Sequence, residues 1–162
     1  MKAEKSNSPT HTLAEFACDL TFDSLPDAVV QKLKLHILDA LGAALYASST
    51  PWCRMIRDVL ARDGGKEEAT VWGSPFRLPV QAAAMANSMA THGFELDDRR
   101  VAASLHPASG SVPPCLALAE RDGGVSGKEF LTAVAAGYEV SCRVGKCIGK
   151  PSFVRGFYPP SI

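Results

Sequence analysis

No run of apolar residues in this 162-residue chain approaches the roughly 18 to 20 needed to cross a bilayer. The first eleven residues are polar and lack the apolar core of a signal peptide, which points to a cytoplasmic protein. An excess of one charge is missing too: Lys plus Arg and Asp plus Glu each total 17, and neither sign forms a long run. The chain therefore lacks the electrostatic footprint that holds nucleic acid or an anionic membrane, leaving a small molecule or another protein as partner. Five cysteines (Cys18, Cys53, Cys115, Cys142 and Cys147) are an odd number without metal-type pairing, and read as reduced core thiols rather than as disulfides or a structural zinc site. β-type sequence is nearly absent. Only residues 69–72 (Ala-Thr-Val-Trp) have that character, and one strand cannot make a sheet, so the run is an extended connector or an edge.

What is present is helical. Apolar residues make up 46% and charged ones 21%, in the globular range, and the length suits one hydrophobic core. Residues 1–10 have the composition of a disordered terminus. Helical spacing then begins at Leu13, Phe16, Ala17 and Leu20, with Thr12 and Glu15 as a capping box. A second helix is expected over 26–47, opened by Pro26, with an apolar stripe of Val29, Val30, Leu33, Ile37, Leu38, Leu41, Ala44 and Leu45 broad enough for both sides to be covered near Gly42-Ala43-Ala44. His36 lies beside that stripe and reads as a hydrogen-bonded structural residue. A third helix follows Pro51 and stops near Gly64-Gly65. The alanine-rich segment 78–92 makes a fourth, close-packed helix, and 115–120 a fifth. Ser126 and Glu129 cap a sixth that runs to about Val144, after which the prolines and glycine of 150–162 predict a loop. The fold class is all-α. A chain that stops directly after Pro-Pro-Ser, with no closing helix, reads as a fragment.

The chemistry concentrates in residues 92–114, which hold His92, Glu95, Asp97, Asp98, Arg99, Arg100 and His106 between small and apolar segments. If the helix stops at His92-Gly93, the three carboxylates sit on a loop held by a rigid scaffold, where site residues commonly lie. Arg99, Arg100 or His106 would relieve their mutual repulsion, and a solvated loop of local ion pairs accounts for the same composition. His92, Glu95 and His106 are the mixed imidazole and carboxylate set from which a metal site could be drawn; metal-free chemistry is the expectation. Small residues after His106 leave backbone N–H groups accessible to an anion such as a substrate carboxylate, with His106 beside it to move a proton. Ser109 or Ser111 would serve equally as an N-capping hydroxyl.

His-Gly-Phe-Glu-Leu-Asp-Asp at 92–98, His-Pro-Ala-Ser-Gly at 106–110, Val-Pro-Pro-Cys-Leu-Ala-Leu-Ala-Glu at 112–120 and Ala-Ala-Gly-Tyr-Glu-Val at 135–140 together resemble the MmgE/PrpD family. That family includes 2-methylcitrate dehydratase, cis-aconitate decarboxylase and iminodisuccinate epimerase. The resemblance covers 12–162 and implies the N-terminal portion of a multi-helix domain, residues 11–162, with the lid domain absent. It implies a lyase or isomerase that uses acid/base chemistry on a small di- or tricarboxylate, without metal or organic cofactor, in a homodimer built on the helical domain. Carried over position by position, it gives His106, Glu95 and Asp98 catalytic roles. Arg99, Ser109, Gly110 and Tyr158 become substrate contacts. Two positions depart from the pattern: Arg99 stands where threonine is common, and Tyr158 where an active-site histidine is usual. The family's lysine and lid would lie beyond Ile162. The contrasting reading is a truncated, inactive helical remnant that binds or dimerises without turnover.

Overall fold

The structure, a computed structural model, describes residues 8–157, without the side chains of 149, 150, 151 and 153. Its elements are α1 (Pro9–Asp19), α2 (Asp27–Ala47), α3 (Pro51–Asp63), β1 (Ala69–Thr70), β2 (Arg77–Leu78), α4 (Val80–His92), α5 (Pro107–Asp122) and α6 (Gly127–Val154). Short 3-10 turns occupy Phe22–Ser24 and Val101–Ala103. The fold is mainly helical, as the sequence indicates, and no helix among the described residues is long and apolar enough to cross a membrane.

Small side chains set how the helices meet. Ala40, Ala44 and Ala47 of α2, Ala90 of α4, Ala108 and Val112 of α5, and Val134 and Ala135 of α6 are buried in one cluster. Alanine faces let helix backbones approach closely, and the close-packed interior gains dispersion contacts that longer side chains would block. α4 is thereby held between α2 and α5, and α5 also packs against α6. A second cluster joins Ala69, Val71 and Leu78 to Val80, Ala83, Ala86 and Ala117. The buried Asn87 links the two: its side-chain N–H donates to the Thr70 carbonyl at 2.9 Å, and its Oδ1 accepts from the Trp72 N–H at 2.9 Å.

Several boundaries differ from the sequence expectation, each for a local reason. α1 starts at Pro9, within the stretch expected to be disordered, because Ser8 caps it by accepting from His11 N–H, and Pro9 occupies the first turn. The Thr12 hydroxyl instead donates to Ser8 O inside the helix. The β-type run has a partner after all, since Ala69 and Thr70 pair antiparallel with Leu78 and Arg77 in a hairpin whose second strand is too short for periodicity to reveal. α5 begins at Pro107, so Pro113 and Pro114 lie within it. Each lacks the N–H that would bond four residues back, and the carbonyls of Ser109 and Gly110 lose their usual partners.

α6 runs ten residues past Val144, to Val154. Pro151 falls in the last turn, where one lost bond matters little, and the Ser152 hydroxyl donates to Ile148 O at 3.0 Å. The cap at its start is as expected: Ser126 N–H donates to the Glu129 carboxylate at 2.8 Å, and Glu129 N–H returns to Ser126 Oγ at 3.2 Å. Two other expectations need correction. Leu38 and Leu45 of the α2 stripe remain 67% and 56% exposed, so only one side of that helix is covered. Cys53 is buried, but Cys18 and Cys147 are exposed, so the free thiols are not all in the core.

Candidate functional site

Two helix ends and the loop between them build the site. α4 stops at His92, where a basic residue suits the negative end of a helix. The turn that follows is tight at Gly93, where an added Cβ would lie 2.7 Å from Met89 O and 3.0 Å from Cys53 Sγ. Trp52 Nε1–H donates to Gly93 O at 2.8 Å and holds that turn in place. Glu95 then takes a left-handed conformation, φ 56°, and so does Ser104, φ 51°. For a side-chain-bearing residue this costs of order 1 kcal/mol or more. Between them an antiparallel bridge, with Arg100 N–H donating to Leu105 O at 2.9 Å, folds the loop back and delivers His106 to the start of α5.

The result is a carboxylate between two imidazoles. Asp97 Oδ1 lies 3.1 Å from His92 Nδ1 and 3.1 Å from His106 Nδ1, and the Asp97 side chain is fully buried. The two rings stand 4.5 Å apart, centroid to centroid. A carboxylate accepts only, so both imidazoles present Nδ1–H to it. The second oxygen, Asp97 Oδ2, is buried without a hydrogen-bond partner among the described residues. The ligand atoms of His92, Asp97 and His106 fall within 4.8 Å of one another, so among the described residues these, rather than His92, Glu95 and His106, are the set placed to hold a metal ion.

The neighbouring Asp98 faces the other way. Its Oδ2 lies 3.2 Å from His36 Nδ1, and its Oδ1 accepts the Ala108 N–H at 3.0 Å. His106, the N-cap residue of α5, makes no side-chain cap bond, so Asp98 supplies the anion at that helix end from within the protein. His36 also packs against Tyr138 with ring centroids 5.3 Å apart and planes tilted by 44°, and the Tyr138 hydroxyl is buried without a partner of hydrogen-bonding geometry among the described residues. Burial first, then the Asp98 charge, pushes that phenol well above its ordinary pKa.

Glu95 projects outward, 70% exposed, with Oε1 3.6 Å from His92 Nε2. Arg99 is exposed on the loop. His106, Ser109 and Gly110 line one cavity of about 310 Å³, closed on the far side by Gly137, Ser141 and Gly145 of α6. Ser109 Oγ donates to His106 O at 2.9 Å, so its hydroxyl proton is engaged locally. Ser111 is buried in the core. Tyr158 lies outside the described residues. The structure thus gathers His106, Ser109 and Gly110 at one cavity, sets Glu95 beside His92, and places Asp98 on the His36 side of the loop. Sequence reasoning gave Asp97 no distinct role: nothing in spacing separates it from Asp98, and only the direction in which the loop turns does so.

A mainly helical domain whose loop binds two histidines around one buried carboxylate is the class of protein these observations define. The chain belongs to the MmgE/PrpD family: the model of the MmgE/PrpD N-terminal domain matches residues 11–161. It is 32% identical over 160 residues to the human cis-aconitate decarboxylase, covering 96% of this chain and 33% of that protein. It is 32% identical over 156 residues to the cis-aconitate decarboxylase-like protein oryM of Aspergillus oryzae, covering 92% and 32%. With the cis-aconitate decarboxylase of Aspergillus terreus it shares 32% over 143 residues, covering 86% and 29%. The chain therefore spans about a third of the length of the curated relatives it matches.

Proposed function

We propose that this chain carries the helical half of the active site of a lyase or isomerase that dehydrates, decarboxylates or epimerises a small di- or tricarboxylate. The observation that carries the reading is the buried Asp97 bonded to His106 Nδ1, which leaves the Nε2 lone pair as a base. His106 transfers the proton, and Asp97 fixes its tautomer and ring plane. Glu95, beside His92, and Asp98 act with it as the acidic members of the site. Arg99 offers a bidentate guanidinium to a substrate carboxylate, and Ser109 and Gly110 form the cavity wall against which the acid rests. Tyr158 is assigned to substrate contact on the family pattern. No metal or organic cofactor takes part in the proposed reaction.

The test is a calorimetric titration of the purified chain with a panel of di- and tricarboxylates, 2-methylcitrate and cis-aconitate among them. The expected result is a Kd below about 1 mM, worth about 4 kcal/mol, that His106→Ala weakens. A folded chain that binds none of them would overturn the assignment.

A second reading is supported by exposed apolar surface. Leu38 and Leu45 of α2 are each more than half exposed, which suits a module that self-associates through this face, as a homodimer, without turnover.

A further inference from the structure

The Asp97 carboxylate is a buried charged group with one oxygen left without a hydrogen-bond partner among the described residues. Oδ1 takes both imidazole Nδ1–H groups, Oδ2 takes none, and the side chain has no access to water. A buried acceptor left in that state is unfavourable. A small cation held by the same three groups removes that difficulty.

We infer that His92, Asp97 and His106 form a binding site for one divalent first-row transition ion of the borderline class that accepts imidazole and carboxylate together. The three ligand atoms already lie within 4.8 Å of one another. With metal–ligand bonds of about 2.1 Å, a separation like the 3.1 Å between Asp97 Oδ1 and each Nδ1 subtends about 95° at the ion. That is close to the angle between neighbouring ligands in an octahedron. Each imidazole can thus stand next to the Asp97 oxygen around one ion, and Asp97 Oδ2 is available to it as a second oxygen. None of the residues in the cluster is a cysteine, so the donor set does not favour the softest ions. Glu95 approaches His92 at Nε2, the opposite edge of the ring from Nδ1, and stays out of the ligand set.

Occupancy has a consequence for proton transfer. The ion takes the electron pair of each Nδ1, and the proton that was there moves within the ring to Nε2, with no net release. His106 then carries a hydrogen where its basic lone pair had been. The ion is an inhibitor of this site rather than its cofactor. That consequence rests on the acid/base reading above, whereas the binding itself does not.

The experiment uses the full chain, stripped with a chelator and titrated with Co²⁺ and Zn²⁺ by calorimetry, with the visible spectrum of the Co²⁺ form recorded. The expected result is one ion per chain, a cobalt d–d band with no thiolate-to-cobalt charge-transfer band, and affinity at least tenfold lower in both Asp97→Asn and His92→Ala. Should Asp97→Asn lose its helical circular dichroism, His92→Ala and His106→Ala carry the comparison. Wild-type protein that takes up no ion at about 1 mM, uptake unchanged in the histidine variants, or a thiolate band assigning the ion to cysteine would each overturn the site. A chain that binds Co²⁺ in this way but no polycarboxylate would keep the metal site and sink the lyase reading. Carboxylate binding without ion binding would do the reverse.

Discussion

Asp97 and Asp98 are adjacent in sequence and chemically identical, yet one is enclosed by two imidazoles and the other caps α5 and pairs with His36. What separates them is the backbone, which at Glu95 and Ser104 enters the left-handed region. Glycine enters that region without the Cβ penalty, so replacing either residue tests whether the loop stores strain. Ser104→Gly is expected to raise stability by about 0.5–1 kcal/mol in urea denaturation while leaving carboxylate binding unchanged. Glu95→Gly is expected to raise stability comparably and to weaken binding, because it also removes the carboxylate beside His92. Loss of stability in both variants would show that the loop is held by its side chains and not strained by them. At this scale the sequence pointed to a cluster, since seven chemistry-bearing residues crowd into 92–106. It could not rank them: His36 is brought to Asp98 from a helix about sixty residues away.

Helix contacts here depend on positions where a side chain is missing. Gly145 in α6 faces the 3-10 turn: an added Cβ would sit 2.4 Å from Leu105 Cδ2 and 2.8 Å from the Ala103 carbonyl. Gly42 in α2 has nothing within 4 Å of the same position. Helix propensity alone favours alanine over glycine by about 1 kcal/mol at an interior position. Gly42→Ala should therefore stabilise the protein by up to that amount, whereas Gly145→Ala should lower its Tm, because a backbone carbonyl cannot move aside cheaply. Equal effects in thermal melts would mean that α6 does not press on the turn preceding His106. Propensity and capping predicted that the helices exist, and Ser126 with Glu129 opened α6 as expected. Their ends were less legible. Pro113 and Pro114 read as a boundary because proline removes a helix bond, but the buried packing of Ala108, Ser111 and Val112 keeps that segment helical.

For the whole molecule the open question is what meets the uncovered face of α2. Leu38 and Leu45 are two helical turns apart and both exposed, so the same side of the helix presents apolar surface along its length. Size-exclusion chromatography with light scattering is expected to show self-association of the wild-type chain and its reduction in a Leu38→Lys/Leu45→Lys double variant; a wild-type monomer at high concentration would contradict it. The sequence by itself determined the mainly helical fold, the absence of a membrane-spanning helix among the described residues and the family, because these follow from composition, short-range periodicity and local motifs. Tertiary structure alone decided which carboxylate lies between His92 and His106, which one caps α5, and which apolar residues of α2 stay exposed. Those outcomes depend on the path of one loop and on contacts between residues far apart in the chain. Neither leaves a periodic trace in sequence.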